Sequence, residues 1–240
     1  MFWLIEEKEQ LEQFSAQGFK EVFLEVIPHN FNTHPILDSV SLLYVRPITA
    51  RKGYMLCIDH SEALLLGYDA VIQTLKGIEK INVRDKKATL QYLPLKALFD
   101  TQPTFNTYIP EKPHVYSFFY QKHKKQKDIN RLIPIVKHYE YCETIFRDLK
   151  SFNLDCTDDY CQWFNKKTSI VFSAIESSGI KIDKDEFKKH FNRDSEDEFV
   201  FTSYNLKTLT TRPSNKFGGI NYAALNKENG CRKSFIPRND

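Results

Sequence analysis

Between Tyr204 and Phe235 the chain reads YNLKTLTTRPSNKFGGINYAALNKENGCRKSF. The stretch carries Thr208, Thr210, Arg212, Ser214 and Asn215, then a Gly218-Gly219 turn, then Asn221 and Arg232. Small hydroxyls, amides and arginines alternate here with few acids. Groups of these types hydrogen-bond phosphate oxygens, sugars and base edges, so the chemistry they suggest is contact with a nucleic acid. The plain alternative is an Asn- and Gly-rich loop that binds nothing. Any one of these features alone would be weak; their agreement in spacing favours binding.

The elements that must position this stretch come from a chain of 240 residues, enough for one large or two small domains. A composition 41% hydrophobic and 14% aromatic is globular. The net charge of +3 is too small to argue for nucleic acid by itself. Cys57, Cys142, Cys156, Cys161 and Cys231 form no C-x-x-C pair, which favours free thiols in a reducing compartment over a zinc ribbon. Acids follow the short apolar start MFWLI without a basic segment, unlike a signal peptide, and no apolar run reaches membrane length. A soluble cytoplasmic protein with no membrane partner is expected. No G-x-x-x-x-G-K-[ST] loop occurs. His29, His34, His60, His114, His123, His138 and His190 show no metal-ligand spacing and read as surface or partly buried residues.

Strands are expected over Val22–Ile27, Val40–Arg46, Gly53–Asp59 and Ile78–Val83. Helices are expected within 5–14, over Tyr68–Lys76, Lys86–Tyr92, Leu132–Leu149, Trp163–Ser177 and Lys184–Phe191. Residues 103–113 hold three prolines and read as an irregular connector, and His123–Lys127 is a basic run that could touch a DNA backbone or simply end a helix in solvent. Three strands followed by alternating helix and strand give an α/β layer with a mixed sheet.

The stretch from Thr208 resembles the T-x-T-G-R-L-S-S pattern of family A DNA polymerases, the bacterial DNA polymerase I kind. Thr208-x-Thr210-Thr211-Arg212-Pro213-Ser214-Asn215 matches it, with Thr211 for the glycine and Asn215 for the second serine. Asn221 stands where that family has an amide-rich run, and Gly230, Arg232 and Phe235 match its G-x-x-I-R-x-A-F strand. Ile175–Asp183 resembles the M-E-x-x-G-I-x-V-D junction that opens the polymerase domain, with Gly179 capping a helix at positive φ and Glu176 as a structural ion-pair residue. The variant is similar to a phage-borne branch. The resemblance implies a fold in two parts. Residues 1–150 would be a ribonuclease-H-like 3′–5′ exonuclease domain with a mixed sheet and flanking helices. Residues 151–240 would be connecting helices and the start of a polymerase domain whose thumb is reduced to Lys184–Phe191 and an acidic loop.

In that family the exonuclease clamps two divalent metals with an Asp-x-Glu on the first strand, an Asp after the fourth and a Tyr-x-x-x-Asp on a late helix. The matching positions here are Glu25 and Ile27, Asp85, and Tyr139 with Glu143. Isoleucine cannot ligate a metal, so the resemblance implies a degenerate exonuclease site of Glu25, Asp85 and Glu143. Asp100, in an F-D-T match, reads as structural. The family's catalytic palm motifs lie beyond its G-x-x-I-R-x-A-F strand. The expectation is therefore the N-terminal part of a DNA-directed DNA polymerase acting in replication, in a bacterial cell or phage-infected host, inactive alone. It would contribute primer-template contacts through Thr208, Thr210, Arg212, Ser214, Asn215, Asn221 and Arg232, with no catalytic residue or metal of its own. Mg2+ is expected only with the complete polymerase. The alternatives are a non-catalytic DNA-binding subunit of a split polymerase and a weakly active 3′–5′ exonuclease.

Overall fold

The run EVFLEVIP forms strand β2 (Glu21–Pro28), whose β-branched and aromatic side chains suit a strand covered on both faces. The structure, a computed structural model, describes residues 2–31, 33–101, 114–122, 128–151, 159–206, 208, 213–215 and 220–238. Strand β2 joins a six-stranded sheet of order β1-β4-β3-β2-β5-β6. Its other strands are β1 (Trp3–Ile5), β3 (Val40–Pro47), β4 (Tyr54–Cys57), β5 (Lys80–Val83) and β6 (Leu98–Asp100). β2, β3 and β4 form an antiparallel meander, while β5 and β6 continue parallel to β2 on its other side. This mixed order is the ribonuclease-H-like arrangement, and the four expected strands lie in one sheet. β1, which pairs parallel with β4, was not expected. Residues 5–14 read as helical, but the helix α1 spans Lys8–Ala16. The Gln10 side chain closes its start by accepting from the Glu6 and Glu7 backbone N–H groups. The short apolar run before it is a strand because an edge of β4 is there to pair with it.

The period of two divides β2 between two cores. Val22 and Leu24 face one, with α1 and α2 (Tyr68–Lys76) contributing Leu11, Phe14, Val71, Ile72 and Leu75. Phe23 and Ile27 face the other, against Cys142, Ile145, Phe146 and Leu149 of α5 (Ile135–Ser151) and Tyr116 of α4 (His114–Lys122). Between β5 and β6 runs α3 (Lys86–Tyr92). The expected helix Trp163–Ser177 is interrupted: α6 (Asp159–Trp163) passes through a π-turn, Phe164–Thr168, into α7 (Ser169–Ser178). Such wider turns insert an extra residue and re-aim the side chains around it. The expected connector 103–113 and basic run 123–127 lie outside the described residues. Cys57, Cys142 and Cys231 are free and buried. Among the described residues no helix is long and apolar enough to cross a membrane.

The chain divides into two compact units, one ending at Ile170 and the other beginning at Val171. In the second, β7 (Ile180–Lys181) pairs with β8 (Phe199–Val200), and Ile182 bridges to Phe235. The helix α8 (Lys184–Phe191) is capped by Asp183, whose carboxylate accepts from the N–H groups of Asp185 and Glu186. Phe187, Phe191, Tyr222 and Phe235 pack ring against ring. Gly179 stands at φ +68, as its place after α7 requires, and a Cβ there would lie 2.8 Å from Phe201 Cε1. Gly179→Ala is expected to cost about 2 kcal/mol from left-handed backbone strain and crowding, seen as a lower denaturation midpoint. An unchanged midpoint would show that this turn relaxes without cost.

Candidate functional site

The first unit places the carboxylates expected to form a degenerate exonuclease site among protein partners. Glu25 projects from β2 on the same face as Phe23 and Ile27. The pairing of Leu24 with Val83 brings the residue after β5, Arg84, alongside it. Arg84 Nη2 and Nε donate to Glu25 Oε1 at 2.7 and 3.1 Å. The Glu25 side chain is 7% exposed and that of Arg84 27%. Burial works against the charge on Arg84, but Glu25 more than offsets it and raises the guanidinium pKa above its ordinary value. Ile27 is fully buried within the α5-side core, where its side chain offers no ligand atom.

Asp85 and Glu143 are also engaged. Asp85 caps α3, its carboxylate accepting from Ala88 N at 3.0 Å. Glu143, on α5, accepts from Tyr44 Oη at 2.8 Å and lies 3.2 Å from Arg46 Nη1. Burial and this hydrogen bond raise the Tyr44 pKa, keeping the phenol protonated as the donor. Asp100 is buried and accepts from Lys86 N at 3.1 Å, a structural role as expected. Two divalent cations need several oxygens converging on shared points. Here one expected ligand is apolar and another is bonded by a guanidinium, so the residues present do not fit a two-metal exonuclease centre. Arg84 is the residue that sequence reasoning missed in this role. It was visible only as a basic neighbour of Asp85; the parallel register of β2 and β5 makes it the partner of Glu25.

The histidines correct another expectation. His29, His34, His60 and His138 are buried, and His29 does gather possible ligands from distant parts of the chain. Among the described residues, ligand atoms of His29, Asp38 and Asp128 lie within 4.8 Å of one another. His29 Nε2 is also 3.1 Å from Asp59 Oδ2, and Asp59 in turn is 2.6 Å from Arg131. His29 Nδ1 lies 3.6 Å from Asp128 Oδ1, so the ring sits between two carboxylates drawn from distant parts of the chain.

In the second unit Glu176, 1% exposed, supports the start of the candidate binding stretch. It accepts from Tyr204 N at 2.6 Å and from Ser203 Oγ at 3.4 Å. β9 (Tyr204–Asn205) pairs antiparallel with β10, which is Ser214–Asn215. Thr208 is half-buried. Thr210 and Arg212 lie outside the described residues. Asn221 precedes a short 3-10 turn, Tyr222–Ala224. The exposed Arg232 donates to Leu225 O at 3.2 Å. The fold thus brings Ser214 and Asn215 beside Tyr204 and Asn205, and commits part of Arg232 to the Leu225 carbonyl.

No protein-family model and no curated protein matches the chain. Among solved structures, the chain is similar to Trypanosoma brucei RNase D in a GMP complex, at 13% identity and TM-score 0.43, over 66% of this chain and 58% of that one. It is similar to Escherichia coli RNase D, described as an exoribonuclease involved in structured RNA processing, at 10% identity and TM-score 0.43, over 80% and 54%. A third likeness is to the POL domain of Pol1 from M. smegmatis, complexed with DNA primer-template and dNTP, at 12% identity and TM-score 0.41, over 78% and 34%. The chain therefore spans less than two thirds of each of these three chains.

Proposed function

We propose that the first unit is an exonuclease fold that binds nucleic acid without 3′–5′ nuclease chemistry, and that the second unit is the start of a family A DNA polymerase domain contributing primer-template contacts. The observation that supports this reading best is the Glu25–Arg84 ion pair beside a buried Ile27. A site evolved for two cations would not place a guanidinium on its first-strand carboxylate. The polymerase part rests on the match at Thr208, Arg212, Ser214 and Asn215 and on the Glu176 support beneath Tyr204. Mg2+ enters only where a polymerase palm supplies carboxylates for it.

Incubating the purified chain with end-labelled single-stranded and primer-template DNA, with Mg2+ or Mn2+, tests both halves. Binding without shortening or extension of any strand is expected. Arg212→Ala should weaken binding by about 1–3 kcal/mol for all sequences, the worth of a hydrogen bond to a charged group. It should also flatten the dependence of log K on log salt by about one phosphate contact. Metal-dependent shortening that Glu25→Ala abolishes would overturn the nuclease half. An unchanged affinity and salt slope in Arg212→Ala would overturn the binding assignment.

A further inference from the structure

The outer edge of the sheet carries a second feature, two strands away from Glu25. A cavity of about 710 Å3 lies against β6, with Lys80, Lys86, Lys96, Lys166, Phe99 and Asn165 on its walls. Its surroundings are strongly shaped. Edge strands leave backbone groups unpaired, and here the Asn165 amide serves as a partner for β6: its Oδ1 accepts from Asp100 N, and its Nδ2 donates to Asp100 O at 3.3 Å. Lys86 Nζ donates to the Asn165 carbonyl. The π-turn is what turns Asn165 inward, while the next residue, Lys166, stays exposed at the rim. The wall is therefore fixed before any ligand arrives.

Its charges do not balance. Glu21 lies 3.0 Å from Lys80 Nζ, and the charge of Asp100 acts on Lys86, whose pKa burial lowers. Glu79, the acid on the wall, lies 3.6 Å from Lys20 Nζ. Lys96 and Lys166 are exposed and have no carboxylate partner among the described residues. Two ammonium groups are thus left over at one cavity. Phe99 adds a half-buried aromatic ring, with Lys80 Nζ 5.3 Å from its centroid. The volume falls within the roughly 300–1,000 Å3 of small-molecule sites and far exceeds what an inorganic anion fills. Paired cations at the rim suit phosphate oxygens, and an aromatic ring inside suits a base, whose flat face stacks whatever its identity.

We infer that this cavity binds a nucleotide unit, with its phosphate at Lys96 and Lys166 and its base against Phe99. A mononucleotide and the end of a nucleic-acid strand share that chemistry. Among the described residues, the cavity is lined by neither Glu25 and Ile27 nor any residue of the stretch after Tyr204, so the site is argued apart from the proposed function.

Titrating the intact protein with labelled dAMP and with a labelled oligo-dT tests the site. Saturable binding is expected, weakened about tenfold or more in the Lys96→Glu/Lys166→Glu double variant, as loss of charge-assisted contacts requires. Both side chains are exposed, so the melting temperature should hold. Lys167→Glu, beside the cavity but not on its wall, should leave dAMP binding unchanged. Bound probe should also protect Lys96 and Lys166 from amine acylation read by mass spectrometry. Loss of dAMP binding in the double variant assigns a mononucleotide site; loss confined to oligo-dT, with the same protection, assigns a strand end. Binding of neither probe, or binding that the double variant leaves intact, overturns the site.

Discussion

Arg84→Ala should destabilise the protein by about 3–5 kcal/mol, the cost of leaving a buried carboxylate without its counter-charge. Glu25 sits in the α5-side layer beside Cys142, where burial and the charge of Glu25 push the thiol pKa well up. Its carboxylate, 7% exposed, would lose two donors, at 2.7 and 3.1 Å. Denaturant titration measures the loss. The double variant Glu25→Leu/Arg84→Met should fold close to the wild type, because an apolar pair of similar volume removes both the charges and their desolvation cost. A double variant as unstable as Arg84→Ala would mean that the pair does more than neutralise itself. Neither variant should gain nuclease activity, since Ile27 still supplies no ligand. A loss below about 1 kcal/mol in Arg84→Ala would place the pair in effective contact with solvent.

Stability should also fall by about 3 kcal/mol as the pH drops from 6.5 to 4, through His138 alone. Burial lowers the pKa of this histidine to about 4, and the nearby His60 adds to the shift. Its Nε2–H donates to Asn130 O at 2.8 Å, and Tyr116 Oη donates to its Nδ1 at 2.6 Å. Both ring nitrogens are thus satisfied in the neutral form, and protonating Nδ1 would set two donors against each other. The sign follows from linkage. The unfolded chain takes up the proton near pH 6.5 and the folded chain only near pH 4, so stability is full above 6.5 and declines below it. His60, packed 5.9 Å away and also lowered by burial, acts in the same direction. Denaturant midpoints across this window, compared with those of His138→Gln, isolate the contribution because carboxylate effects are common to both proteins. Parallel curves would mean that folding leaves the proton affinity of His138 unchanged.

The edge of the sheet was harder to read than its centre. β2 and β3 announce themselves by apolar runs rich in β-branched and aromatic residues that need no partner to be recognised. Trp3–Ile5 is too short for any pattern and is a strand only because β4 offers an edge. The same holds for the π-turn: nothing in FNKKT marks it, and it exists where Asn165 reaches Asp100 and Lys86 reaches Asn165.

The sequence by itself determined the central strands of the sheet, the alternation of helix and strand, the positive-φ glycine at 179 and the apolar residue at 27, because each follows from local periodicity or from the chemistry of a single side chain. Only the tertiary structure decided what the charged groups do. Glu25 with Arg84, Glu143 with Tyr44, Glu176 with Tyr204 and His138 with Tyr116 are pairs separated by 22 to 99 positions. Whether a buried ionisable group ligates, caps or pairs depends on which partner the register and packing bring within about 3 Å of it. That distance is set by strand pairing and helix docking, and no spacing along the chain encodes it.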